Sequence, residues 1–226
     1  MIQINVSAGD FAEMALRAIW KGTTMYKTTL LSAMAVLALT ATGALAQSKG
    51  DMTVGVGLAW VNPSDDNGSL ANGALDTDVD DDTQLSLTFE YFFADNWGVE
   101  VLAATPFTHQ VELNGSDVVK VKHLPPTVSV NYHLPTNTAW TPFFGLGVNY
   151  TTILDLDDQK ISGLDISDSW GLAGHIGVDY AISDKASLRL DARYIDIDLD
   201  VDLNGSDIGT VEVDPWVIGM SYIWKF

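Results

Sequence analysis

Four histidines, His109, His123, His133 and His175, are the imidazoles of this chain, and it has no cysteine. Along the sequence they fall on different segments, scattered over different heights. No H-E-x-x-H, no G-x-S-x-G and no phosphate-cradling glycine loop accompanies them. Nothing in the order of residues assembles a nucleophile with its base, so an enzyme is not expected, nor is a cofactor or a resident metal. The run Asp76-Thr-Asp-Val-Asp-Asp-Asp82 has the alternating carboxylates of a calcium loop. Asp81, however, stands where such a loop needs glycine, and Leu87 where it needs a bidentate glutamate. Together with Asp155, Asp157, Asp158, Asp165, Asp196, Asp198, Asp200 and Asp202 the run reads as an acidic outer rim. That rim is either plainly solvated or bridged by divalent ions to lipopolysaccharide phosphates. With 30 acidic against 11 basic side chains and a net charge of -19, nucleic acid is excluded as a partner.

The elements that would position these residues have the period of strands. Residues 1–24 read as an upstream extension. Residues 25–46 read as a signal peptide: a basic start at Met25 to Lys27, an apolar run from Leu30 to Leu39, and Ala44-Leu45-Ala46 before Gln47. From 47 to 226 no apolar stretch reaches the ~18 residues of a membrane-spanning helix. The pattern there alternates with period two, as in Leu85, Leu87, Phe89, Tyr91 and Phe93 against Gln84, Ser86, Thr88, Glu90 and Phe92. Eight such segments are expected, at about 51–61, 83–93, 97–113, 118–133, 140–153, 168–182, 186–203 and 208–226. Short connections alternate with long ones, the pattern of an eight-stranded antiparallel up-and-down transmembrane β-barrel. Asn114-Gly115 and Asn204-Gly205 are type I′ turn pairs, which extends two of the outer connections as ribbons above the membrane.

Facing follows from size. A lipocalin-like barrel would put the apolar face inside, but an eight-stranded barrel has little interior room. The apolar face carries the bulky residues and the opposite face carries Gly, Ser, Thr, Asn and charges, so the apolar face belongs against lipid. Aromatics then sort into two girdles. Phe93, Trp97, Tyr132, Trp140, Tyr180, Trp224 and Phe226 form the lower one; Trp60, Phe107, Tyr150, Trp170 and Trp216 form the upper.

Inward charges need partners. The short turns set Glu90 opposite Glu100, Asp179 opposite Arg189 and His175 opposite Arg193, with Asp191 and Lys225 also inward. A buried network of Glu90, Glu100, Asp179 and Asp191 with Arg189, Arg193 and Lys225 is expected. It reads first as a structural plug, and second as a selectivity filter or proton relay. The inward apolar residues Phe92, Leu102, Phe143, Ile195, Ile197, Val217 and Ile223 either line a channel or fill space. Proline cannot donate to a sheet ladder. Counting from the Asn114-Gly115 tip, Ala104 meets Pro125 and Ala103 meets Pro126, with Pro106 two residues above. Trp97 to Pro106 climbs ~25 Å, near the top of an apolar band. The three prolines mark either a lateral seam or a bulge in the wall.

Several segments resemble the outer membrane protein W (OmpW) family, over essentially all of 47–226. They are Val56-Gly-Leu-Ala-Trp-Val-Asn-Pro63, Lys122-His-Leu-Pro-Pro-Thr-Val-Ser-Val-Asn-Tyr-His133 and Pro142-Phe-Phe-Gly-Leu-Gly-Val-Asn-Tyr150. The ending at Tyr222, Trp224 and Phe226 resembles the terminal signal read by the barrel-assembly machinery. The resemblance implies an eight-stranded barrel, integral in the bacterial outer membrane, that passes small apolar solutes passively. Outer-membrane lipid and lipopolysaccharide are its expected surroundings, and a monomer its expected state. A structural or receptor barrel with partner-binding acidic loops is the alternative reading.

Overall fold

The computed structural model describes residues 47–157 and 160–226. The expected signal peptide and the extension before it lie outside the described residues. Eight strands close into an antiparallel ring: β1 (Met52–Asn62), β4 (Asp82–Ala94), β5 (Trp97–Ala104), β8 (Thr127–His133), β9 (Trp140–Asp157), β11 (Ser169–Ser183), β12 (Ala186–Ile195) and β15 (Trp216–Lys225). Closure is made by β15 on β1, from Thr53↔Lys225 to Asn62↔Trp216, and by β9 on β11, from Thr151↔Ser169 to Trp140↔Tyr180. Closing the sheet removes its free edges, so backbone groups along the ladders pair without water.

The outer face of the ring is apolar and uncovered. Leu146, Trp170 and Leu172 are 76%, 72% and 70% exposed, amid exposed Val56, Leu85, Leu87, Phe144, Ile176 and Leu190. So much contiguous apolar surface is unstable in water and at home in hydrocarbon. The inner face has small residues where the bore is tightest. A Cβ on Gly98 would stand 2.3 Å from a Glu90 oxygen, and one on Gly219 2.5 Å from an Asp191 oxygen. These glycines cede the volume that the inward carboxylates occupy.

Above the ring the strands continue as a collar. It comprises β2 (Ser69–Leu70), β3 (Leu75–Val79), β6 (Phe107–Leu113), β7 (Ser116–Leu124), β10 (Leu164–Ile166), β13 (Asp198–Leu203) and β14 (Ser206–Glu212). The tips of the β6–β7 and β13–β14 ribbons have positive φ at both turn residues: 50° and 72° at Asn114-Gly115, 53° and 75° at Asn204-Gly205. That is the type I′ geometry, whose twist matches the flanking strands. Two stretches read as long connections contain strands: β2 and β3 lie within 62–82, and β9 runs on to Asp157. The acidic run 76–82 is extended in β3 and at the start of β4, with Val79 buried.

Four of the eight expected segments are each two strands. The breaks fall at Thr105-Pro106, Pro125-Pro126, Asp196-Ile197 and Val213-Asp214-Pro215. At the first break the facing changes. In β5 the even-numbered Gly98 and Glu100 are buried; in β6 the odd-numbered Phe107 and His109 are. A one-residue slip turns every following side chain to the other face. Phe107, expected in the upper aromatic girdle, is therefore inside and only 1% exposed. Trp60, Trp170 and Trp216 do face outward.

Candidate functional site

The interior has two storeys of opposite chemistry. The lower one is charged. Arg189 reaches Asp179 through Nε at 2.7 Å and through Nη2 at 3.0 Å, Glu100 through Nη1 at 2.6 Å and Glu90 through Nη2 at 3.4 Å. Arg193 donates from Nη2 to Glu100 at 2.7 Å and from Nη1 to Ser129 at 3.2 Å. The facing pairs Glu90↔Glu100, Asp179↔Arg189 and His175↔Arg193 are in register across their ladders. Two carboxylates side by side on adjacent strands would repel; the two guanidiniums reach across the bore to hold them.

Two histidines belong to this cluster. His133 Nε2 lies 3.0 Å from Glu90, and His175 Nε2 lies 3.1 Å from Asp191. Asn131 donates to Glu90 at 3.1 Å. Phe143 lies under the Arg189 guanidinium, 4.4 Å from its ring centroid, and its ring is 4.9 Å from those of both His133 and His175. Phe92 packs edge-on against His133 at 5.1 Å. Lys225, expected in the network, is paired instead with Asp51 at 2.6 Å, with both side chains partly exposed. As the last residue of the last strand it stands at the periplasmic end, below the other charges.

The upper storey is apolar. An apolar hollow, partly open to solvent, is lined mainly by valine, leucine and isoleucine. Ile195, Ile197 and Val217, three of the seven inward apolar positions singled out from the sequence, line it. Leu102 lines a smaller hollow beneath, whose other walls include Glu100, Arg189, Asp191 and Arg193. Phe92 and Phe143 lie among the charges, and Ile223 is buried but lines neither hollow. Most of the chamber comes from collar residues that sequence reasoning did not single out: Leu70, Val79, Val111, Val119, Val121, Leu199, Val201 and Val211. Their strict alternation with charges along β3 and β13 was the available signal.

Two breaks in the wall border the chamber, and they differ. At 196 and 213–215 the gap is stitched. Ile195 N–H donates to Pro215 O at 3.2 Å, Val213 N–H to Ile197 O at 2.9 Å, and Ile197 N–H to the Asp214 carboxylate at 3.0 Å. At the three prolines the ladder stops at Leu102↔Thr127 and resumes only at Phe107↔His123. The backbone groups there turn to their other neighbours: Thr105 N–H to Leu85 O, Tyr150 N–H to Pro126 O, and Asn149 Nδ2 to Pro125 O. Pro125 lines the chamber; Pro106 and Pro126 do not. Tyr222, Trp224 and Phe226 point outward at the foot of β15.

Comparisons with known proteins agree with this architecture. A family model described as the OmpW family matches residues 48–226. Outer membrane protein W of Vibrio cholerae is 35% identical over 216 residues, which is 88% of this chain and 100% of that protein. The crystal structure of the outer membrane protein OprG from Pseudomonas aeruginosa has 38% sequence identity and a TM-score of 0.71, covering 81% of this chain and 99% of OprG. The dibenzothiophene metabolism operon protein PahQ of Pseudomonas aeruginosa is 30% identical over 131 residues, 56% of this chain and 62% of PahQ.

Proposed function

The chain belongs to the OmpW family of outer-membrane β-barrels, and on that premise we propose that it is a passive conduit for small hydrophobic molecules. The observation that carries this reading is an apolar chamber resting on a floor of buried ion pairs. An apolar solute gains by leaving water for such a chamber, at roughly 25 cal/mol per Å² buried. It cannot continue downward, because entering the floor would desolvate and separate paired charges at several kcal/mol each. The way out is sideways, through the unpaired stretch between 103–106 and 124–126, into the outer leaflet. The chamber wall at Pro125 lies directly behind that stretch. A relative named for a dibenzothiophene metabolism operon fits the same solute class, since dibenzothiophene is apolar and aromatic.

No chemical step is assigned to the barrel. The charged floor acts as a plug that keeps ions and water-soluble compounds from leaking. Around the barrel, lipid contacts the apolar belt, lipopolysaccharide meets the acidic collar, and the outward Tyr222, Trp224 and Phe226 are the surface offered to the assembly machinery. Cells lacking the protein and cells supplied with it again should differ in uptake of an apolar solute such as naphthalene, and not in uptake of a small charged one. Equal naphthalene uptake in both would refute the conduit. If a labelled external partner is then lost when the collar loops are deleted, the receptor reading replaces it.

A further inference from the structure

The chamber is not uniformly apolar. His109 on β6 and His123 on β7 both line it, stacked with ring centroids 5.0 Å apart and planes 23° apart. Phe107 flanks both rings, at 6.1 Å and 5.8 Å. The register shift between Val111 and Glu112, where Val118 is the extra residue, pairs His123 with Phe107 and His109 with Val121, which puts the two imidazoles on one face as diagonal neighbours. His109 is 2% exposed and His123 8%.

Their hydrogen bonding is incomplete. His109 Nδ1 lies 2.5 Å from the carbonyl oxygen of Asp80. A carbonyl only accepts, so Nδ1 carries the proton and Nε2 is left as a bare acceptor. Among the described residues, His109 Nε2 and His123 Nδ1 are buried with no hydrogen-bond partner. Buried polar atoms in native structures are nearly always paired, and an exception calls for a group that pairs with it. Thr151, the one side-chain hydroxyl among the residues lining the chamber, already donates to Asn149 at 2.7 Å.

We propose that His109 and His123 are a polar anchor in the chamber, and that the molecule seated there is an uncharged amphiphile: an apolar body with one hydroxyl or N–H donor, such as a phenol or an alcohol. This rests on the conduit reading and narrows its solute class. The donor bonds to His109 Nε2, the apolar body lies against the surrounding valines, and a bare hydrocarbon leaves the nitrogen unpaired. Burial holds both rings below the ordinary histidine value, so they face the ligand neutral and favour an uncharged one.

The test uses the full chain in lipid nanodiscs, with 1-naphthol and naphthalene as probes and empty discs as the blank. The protein should hold 1-naphthol roughly tenfold more tightly than naphthalene once each compound's uptake by empty discs is subtracted. The His109→Phe, His123→Phe double variant should bind naphthalene as before and lose the preference. In the unaltered protein, 1-naphthol and not naphthalene should move the ¹⁵N resonance of His109 Nε2, a readout that needs no variant to fold. Equal binding of both probes, or an unmoved resonance, overturns the anchor and leaves the conduit standing. Binding of neither probe above the blank overturns both.

Discussion

Arg189 holds three carboxylates at once, so it is the residue whose loss leaves the most charge uncompensated. Arg189→Ala takes one partner from each of the buried Glu90, Glu100 and Asp179, leaving Glu100 to Arg193 and Glu90 to His133 and Asn131. Breaking a buried ion pair on one side costs about 3–5 kcal/mol. The variant should unfold at clearly lower temperature when followed by heating in detergent, and an unchanged transition would show that the floor contributes nothing to stability. The collar histidines respond to pH in a definite direction. Burial pushes His123 down to about 3 from an ordinary value of 6.5, with His109 shifted the same way. Above pH 6.5 the rings are neutral folded or unfolded. As pH falls from 6.5 towards 3, the unfolded collar takes up protons that the folded one refuses, so stability is lost through that window, at about 1.4 kcal/mol per pH unit for His123. Amide exchange, corrected for its intrinsic pH dependence, should speed up in 107–124 below pH 6.5 while the ring strands stay protected.

At the scale of elements, the two breaks in the wall make a built-in comparison. Asp214 fills one gap with a carboxylate that accepts from Ile197 N–H and from the Tyr194 hydroxyl. The prolines of the other gap lack an N–H to offer. A disulfide between Ala104→Cys and Pro125→Cys should close the second gap and lower uptake of an apolar solute, with recovery on reduction. Uptake indifferent to the clamp would exclude the lateral route. How much of this was legible beforehand varies with the kind of pattern. The ring was readable because alternation holds within each strand and its turns are short: Glu90 facing Glu100 and Asp179 facing Arg189 follow from counting across a tight turn. The collar was not. Phe107 counts as outward until the facing change at Pro106 is known. His109 and His123 share a face only because of a bulge in β7 at Val118, opposite Val111 and Glu112. His175 follows from the same counting, opposite Arg193, whereas His133 on β8 meets Glu90 on β4 two strands away, which depends on curvature, not spacing.

At the scale of the whole molecule, the described residues join a charge-locked tube to an apolar vestibule with an incomplete side wall. If the solute leaves through the wall, the membrane itself receives it, and the barrel never faces the task of releasing an oily compound back into water. The outer leaflet then behaves as a sink, and throughput should follow how strongly a compound partitions from water into hydrocarbon. Molecular width, the usual criterion for passing a pore, would matter only up to the size of the vestibule. A series of alkylphenols of growing chain length, ranked by rate of entry, would tell a partition-driven gradient from a sieve.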